Sequence, residues 1–191
     1  MTNEDAGKVI LSSAENLHYR FGDPSVAGAL SGQQIAMIRP IQPNDTPALV
    51  AMARGTAAFK PIEIQALEEV LDDYHAQNAG AGHRAVALEE DDTVVGFAYF
   101  AAAAMTDRTW SLWWIVVDRA MQARGIGGKL LQYVEAAVRS MEGRQLVIET
   151  SSQPTYELTR QFYLKYGYSQ IAAVANYYAD GDDMLFFAKR M

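Results

Sequence analysis

The stretch of this 191-residue chain best suited to chemistry is Gln122-Ala123-Arg124-Gly125-Ile126-Gly127-Gly128-Lys129. It joins an apolar run, Leu112 to Val117, to an amphipathic run, Leu130 to Met141. A strand feeding a glycine-rich turn and then a helix leaves several backbone N–H groups unpaired and pointing one way. The positive end of the helix dipole lies behind them. Such a turn binds anions, phosphate above all. It is not a phosphate loop of the Gly-x-x-x-x-Gly-Lys-Ser/Thr kind, because Leu130 follows Lys129. Nor is it the dinucleotide fingerprint, because leucine stands where the third glycine belongs.

The surrounding periodicities predict the elements that must hold this turn. Ile35 to Ile38 reads as a strand, and Pro40 to Pro47 as a turn with Asn44 or Asp45 placed to cap a helix running to about Arg54. From Pro61 to Gln77, Leu67, Val70, Leu71 and Tyr74 recur at helical spacing. Arg84 to Leu88, Glu90-Asp91-Asp92 and Val94 to Ala102 read as a hairpin, and Trp110 to Val117 as the next strand. Residues 127–141 read as a helix stopped by Gly143 in the manner of a glycine C-cap. Leu146 to Thr150 is a strand, Thr155 to Tyr166 a helix capped by Gly167, and Ser169 to Ala175 and Met184 to Ala188 are closing strands. Late helices between strands predict a mixed α/β (α+β) sheet. Residues 1–33 show no sustained period and read as an extension, leaving 34–191 as the folded domain.

Composition narrows the function. Half of the residues are hydrophobic, as in a globular protein. The formal charge of −7 argues against nucleic acid and suits a cationic partner. There is no cysteine, which excludes disulfides, thiolate metal sites and a cysteine nucleophile. With three histidines, no metal-ligand spacing emerges. His75 and His83 read as surface residues. No apolar run approaches the roughly 20 residues that span a bilayer, and the first apolar run, Val9 to Leu11, is too short for a signal peptide. The expectation is a cytoplasmic protein that binds neither membrane nor nucleic acid.

Gln122-x-x-Gly125-x-Gly127 matches the Arg/Gln-x-x-Gly-x-Gly/Ala pattern of the GNAT superfamily of acetyl-CoA-dependent N-acetyltransferases, and the chain resembles that family from about residue 34 to 191. Val116-Val117-Asp118 before the turn and Phe162-Tyr163-Leu164-Lys165-Tyr166-Gly167-Tyr168 after it look like the family's fourth strand and its Phe-Tyr-x-x-x-Gly-Phe/Tyr segment. The resemblance implies a mostly antiparallel sheet whose fourth and fifth strands splay apart. It implies acetyl-CoA as acyl donor, with its pyrophosphate held by Gln122, Arg124, Gly125, Ile126, Gly127, Gly128 and Lys129. The free backbone of Ile115 and Val117 would pair with the pantetheine arm.

The same resemblance gives Tyr163 the role of general acid at the leaving sulfur, and the Val117 amide that of oxyanion donor. Read as a core aromatic, Tyr163 would only pack. Glu149, on the fifth strand beside the expected acyl end, is the candidate base; the plainer reading pairs it with Arg144 or Arg160. The family's asparagine seven residues before the tyrosine is replaced by Tyr156, and Ser151-Ser152-Gln153-Pro154 lengthens the loop, so a serine-oriented water relay is the alternative base. Asn176-Tyr177-Tyr178-Ala179-Asp180-Gly181-Asp182-Asp183 is similar to a segment of the ribosomal-protein alanine acetyltransferase group. Tyr156, Tyr177, Tyr178 and Asp182 are therefore expected to line the acceptor site. The acceptor would be a small amine, an amino-acid derivative or a peptide N-terminus. The competing reading is an acyl-CoA-binding sensor that transfers nothing. Nothing in the sequence sets the oligomeric state, which leaves room for a homodimer, or the role of the extension, which could act as a partner-binding arm.

Overall fold

The computed structural model describes residues 36–191; the expected extension, residues 1–33, lies outside them. Seven strands form one sheet in the order β1-β2-β3-β4-β5-β7-β6: β1 (Ala36–Pro40), β2 (Arg84–Glu90), β3 (Thr93–Ala102), β4 (Thr109–Val117), β5 (Gln145–Ser151), β6 (Ser169–Ala179) and β7 (Asp182–Arg190). Every pairing is antiparallel except β4 with β5. Among the described residues four α-helices flank it: α1 (Thr46–Gly55), α2 (Pro61–Asp73), α3 (Ile126–Ser140) and α4 (Glu157–Lys165). This is the mixed sheet with splayed fourth and fifth strands that the resemblance implied. Among the described residues no helix is long and apolar enough to cross a membrane.

The sheet has a core on each face. On one, Leu49, Ala53, Leu67 and Leu71 of α1 and α2 pack on Phe97, Tyr99 and Val116. On the other, Leu130, Leu131, Val134 and Val138 of α3, with Tyr163 of α4, pack on Phe100, Leu112, Ile148 and Phe187. The α3 residues recur at the 3.6-residue spacing of one helix face. At the hairpin, Asp91 (φ 49°) and Asp92 (φ 59°) take the left-handed conformations that a tight turn between right-twisted strands requires.

Two expected caps are corrected. Asp45 does not cap α1: its carboxylate accepts from Arg39 at 2.7 and 3.0 Å and from the Gln42 N–H at 2.7 Å. The ion pair with Arg39 outcompetes the helix end. Gly143 is not the left-handed residue after α3; Glu142 is (φ 57°). Gly143 is small because a Cβ there would lie 2.3 Å from Val138 Cγ1 and 2.9 Å from Trp110 Cδ1. The closing strands are also longer than their apolar runs: β6 continues through Tyr177 and Tyr178 to Ala179, and β7 begins at Asp182.

One irregularity positions the site. Tyr99 pairs with Trp114 and Phe100 with Leu112, so Trp113 is an extra residue in β4. Pairing of β4 with β5 stops at the same place, at Leu112–Ile148. A bulge adds twist and bends the strand that carries it, and here it turns the second half of β4 away from β5. The sheet opens into a gap bounded by Trp113–Val117 on one side and Glu149–Ser151 on the other.

Candidate active site

The turn is a left-handed entry to α3. Ala123 (φ 63°) and Gly125 (φ 81°) both have positive φ, the latter at the N-cap of the helix. The first helical bond runs from the Lys129 N–H to the Gly125 carbonyl at 3.0 Å. The amides of Ile126, Gly127 and Gly128 precede that bond and belong to the unpaired first turn. Arg124 is exposed and its guanidinium makes no ion pair with another described residue, whereas Lys129 Nζ stands 3.6 Å from Glu90. The Ile126 side chain is buried in the core, so its contribution to the turn is main-chain only.

The glycines do different work. A Cβ on Gly128 would lie 1.9 Å from the Tyr166 hydroxyl oxygen, so a side chain there would have to push the Tyr166 ring aside where α3 meets the end of α4. A Cβ on Gly127 would touch Phe162 and Val117 at an ordinary 3.6 Å.

β4 presents its main chain to the gap in alternation. The Asp118 N–H donates to the Val95 carbonyl at 2.9 Å, with Val117 opposite Gly96. In an antiparallel ladder the next residues bonded to β3 are then Val116 and Trp114. Ile115 and Val117 therefore turn their N–H and C=O groups toward the gap. The Val117 carbonyl receives only a long 3.5 Å bond from Gln122 Nε2. These groups, the turn amides and Arg124 fit a ligand that carries a diphosphate at one end and an amide-bearing arm at the other.

Across the gap, on the face of α1 and α2, lies a cavity of about 600 Å³. Glu149, Tyr156 and Tyr178, all expected there, line it. The Glu149 carboxylate makes no ion pair with another described residue: Arg144 bonds Asp107 and Thr109, and Arg160 bonds Glu157 and the Ser151 and Gln153 carbonyls. The Tyr156 hydroxyl donates to the Ala58 carbonyl at 3.0 Å, tying α4's entry to the loop before α2. Tyr178 is carried in by a four-residue bulge, since Val174 pairs with Met184 and Ala179 with Asp182. Asn176 (φ 53°) holds that bulge, its N–H donating to Asp183 at 2.8 Å and its Oδ1 accepting from the Gly181 N–H at 2.7 Å. Burial, with Glu149 among the nearby charges, pushes the Tyr178 phenol up to about 12, and burial with Glu63 does the same for Tyr156.

Other expected residues stand elsewhere. Tyr177 is 58% exposed, packed edge-on against Tyr178 rather than lining the cavity. Asp182 is buried beneath the site, where its carboxylate accepts from Ser151 Oγ and pairs with Lys60 Nζ at 3.2 Å. Ser152 Oγ accepts from the Asp183 N–H at 2.8 Å. Both serines of the alternative relay thus have structural partners. Tyr163 lies on the opposite face from Glu149, 4% exposed, among Phe162, Tyr168 and Phe187, and burial raises its pKa well above that of a free tyrosine. It stays a neutral phenol at any physiological pH.

Sequence reasoning missed Trp113, Trp114, Phe59 and Glu63, which also line the cavity. A signal existed: two adjacent tryptophans cannot share a face of a regular strand, so Trp113-Trp114 beside Trp110 hinted at a bulge. His83 is not a free surface residue. Its Nδ1 lies 2.6 Å from the Tyr99 hydroxyl, its ring meets Trp113 edge-on at 5.4 Å, and burial lowers its pKa. His75 Nε2 is likewise buried.

Comparison with known proteins agrees with this geometry. Residues 81–170 match the model of the "Acetyltransferase (GNAT) domain" family. Among solved structures, the chain is 31% identical to a GNAT-family protein from Desulfovibrio desulfuricans, covering 81% of this chain and 98% of that one with a TM-score of 0.78. It shares its fold with the ribosomal-protein-S18-alanine N-acetyltransferase of Escherichia coli (20% identity, 81% and 93% covered, TM-score 0.66). The same holds for an aminoglycoside 6'-N-acetyltransferase complexed with coenzyme A (21% identity, 81% and 96% covered, TM-score 0.64). No curated protein matches in sequence.

Proposed function

The chain belongs to the GNAT family of acetyl-CoA-dependent N-acetyltransferases, and we propose that it transfers acetyl to a primary amine by direct attack, with Glu149 as base and Tyr163 as acid. The observation that carries this reading is the gap where β4 leaves β5. It parts the sheet between the face that carries the turn and α4 and the face that carries Glu149 and the cavity.

Acetyl-CoA supplies a thioester whose acyl carbon accepts the nitrogen. The turn amides and Arg124 hold its diphosphate, and Ile115 and Val117 hold its arm at the gap. Glu149 takes a proton from the ammonium, so that the lone pair forms the new N–C bond. The Val117 amide donates to the acyl oxygen as negative charge develops there. The Tyr163 hydroxyl gives its proton to sulfur as the C–S bond breaks; the newly acylated nitrogen sheds its second proton, which restores Tyr163 through solvent, and Glu149 releases the first proton to water.

The test follows free thiol release from acetyl-CoA with an amine acceptor and identifies the N-acetyl product by mass. Tyr163→Phe is expected to lower kcat about a hundredfold while acetyl-CoA affinity stays near wild type. Unchanged turnover would leave Tyr163 a packing residue. Acetyl-CoA binding without acetylation of any amine would turn the reading to the sensor.

A further inference from the structure

The cavity has an unusual lining. Five aromatic side chains, Phe59, Trp113, Trp114, Tyr156 and Tyr178, form its walls. The bulge at Trp113 is what makes this possible: it places two consecutive tryptophans on one face, doubling the ring surface a regular strand would offer. Both are held from behind, Trp114 by Phe59 at 5.3 Å and Trp113 by Tyr99 and His83, each at 5.4 Å. The walls are preformed, with little ordering left to do when a ligand enters.

The charged side chains of the lining have one sign. Glu149 and Glu63 are both carboxylates, and among the described residues no lysine, arginine or histidine lines the cavity. The nearby cation, Lys60 at the start of α2, has its Nζ on the buried Asp182. Glu63 uses one oxygen to accept the Lys60 N–H at 2.6 Å, which leaves its second oxygen and its charge to the cavity. An entering ammonium thus meets two carboxylates and several ring faces, which attract cations. An entering carboxylate meets two like charges and no counter-ion.

We propose that the acceptor is a small cationic amine with an apolar or aromatic body and no carboxylate, selected against free amino acids by Glu63 and Glu149. This rests on the transferase reading above and sharpens it. Glu149 receives the reacting nitrogen, the rings hold the body, and Glu63 is a specificity residue that repels an acceptor carboxylate. The volume, within the range of small-molecule sites, suits such a compound.

The experiment uses the full chain, acetyl-CoA and a matched set: 2-phenylethylamine, phenylalanine, phenylalaninamide and an alanine-initiated hexapeptide. With kcat/KM as readout, 2-phenylethylamine is expected to exceed phenylalanine by roughly a hundredfold, the effect of about two charge contacts. Phenylalaninamide, which lacks the carboxylate, should recover most of that loss. Glu63→Gln keeps the bond to the Lys60 N–H. It should raise KM for 2-phenylethylamine severalfold at unchanged kcat and narrow the gap to phenylalanine. Equal or better use of phenylalanine or the hexapeptide, or a Glu63→Gln enzyme with unaltered selectivity, would overturn the proposal while leaving amine acetylation standing. Bound acetyl-CoA with no N-acetyl product from any acceptor would instead remove the transferase reading itself.

Discussion

The turn at residues 123–129 and the cavity lined by Glu149 face each other across the gap and are built on opposite principles. The turn is one continuous segment whose working groups are backbone amides, exposed because the helix has just begun. The cavity is assembled from side chains of β4, β5, the α1–α2 region, the entry to α4 and the β6 bulge, brought together only by packing. Backbone sites depend on where side chains are missing, whereas side-chain sites depend on which are present and what holds them. A side chain added at the wrong glycine can therefore damage the first, and the second should fail piecemeal.

Gly128→Val is expected to have the largest effect, because the new side chain would collide with Tyr166. Overpacking of this kind costs about 1–3 kcal/mol, so the melting temperature should fall by several degrees with loss of acetyl-CoA affinity. Gly127→Ala, one residue earlier, should leave both near wild type, within about twofold in affinity. Equal damage from the two would mean that the turn is governed by the ligand rather than by α3–α4 packing. Thermal melts and calorimetry decide between these outcomes.

Arg124→Ala should weaken acetyl-CoA binding by about ten- to a hundredfold, the worth of one charge-assisted bond to phosphate, with no change in melting temperature, because the exposed side chain makes no ion pair with another described residue. Calorimetric titration at two salt concentrations checks it; a loss that does not shrink with salt would rule out a phosphate contact.

On the other side of the gap, Asp182→Ala should destabilise the fold by about 1–3 kcal/mol, since it strands the buried Ser151 hydroxyl and takes away the partner of the half-exposed Lys60 ammonium. Asp182→Asn keeps an acceptor for Ser151 and should cost less. If both variants melt like wild type but raise KM for the acceptor, Asp182 contacts substrate instead of supporting the floor.

The smallest effect is alkaline. Burial raises the folded-state pKa of Tyr163 and Tyr168 above the ordinary tyrosine value of 10.0. The stability they contribute is complete below about pH 10 and declines as pH rises beyond it, because the unfolded phenols ionise while the folded ones hold their protons. Melting temperature measured from pH 9 upward should fall, and fall less steeply for Tyr163→Phe. Identical slopes would place that hydroxyl in contact with solvent.

Much of this was readable along the chain. The elements followed from local periods, and α3, with Leu130, Leu131, Val134 and Val138 buried, fell within a residue of its expected ends. The turn was legible because its chemistry is local: glycine spacing, a preceding strand and a following helix lie in one window. Asp45 and Gly143 were misread for the opposite reason. Arg39, on the strand just before the turn, and Trp110, on another strand, decide their roles, and both lie outside the single helical turn that a cap rule reads.

The sequence by itself determined the family, the α/β alternation and the glycine-rich turn that opens α3, since these depend on residue types a few positions apart. Only the tertiary structure decided that β4 bulges at Trp113 and parts from β5 after Leu112, that Tyr163 and Glu149 stand on opposite faces of the resulting gap, that Asp182 is a buried support, and that five rings and two carboxylates share one cavity. A bulge is a choice between registers made by both neighbouring strands and the cores on each face. Its consequences are therefore fixed by contacts between segments far apart in the chain, which residue order does not encode one position at a time.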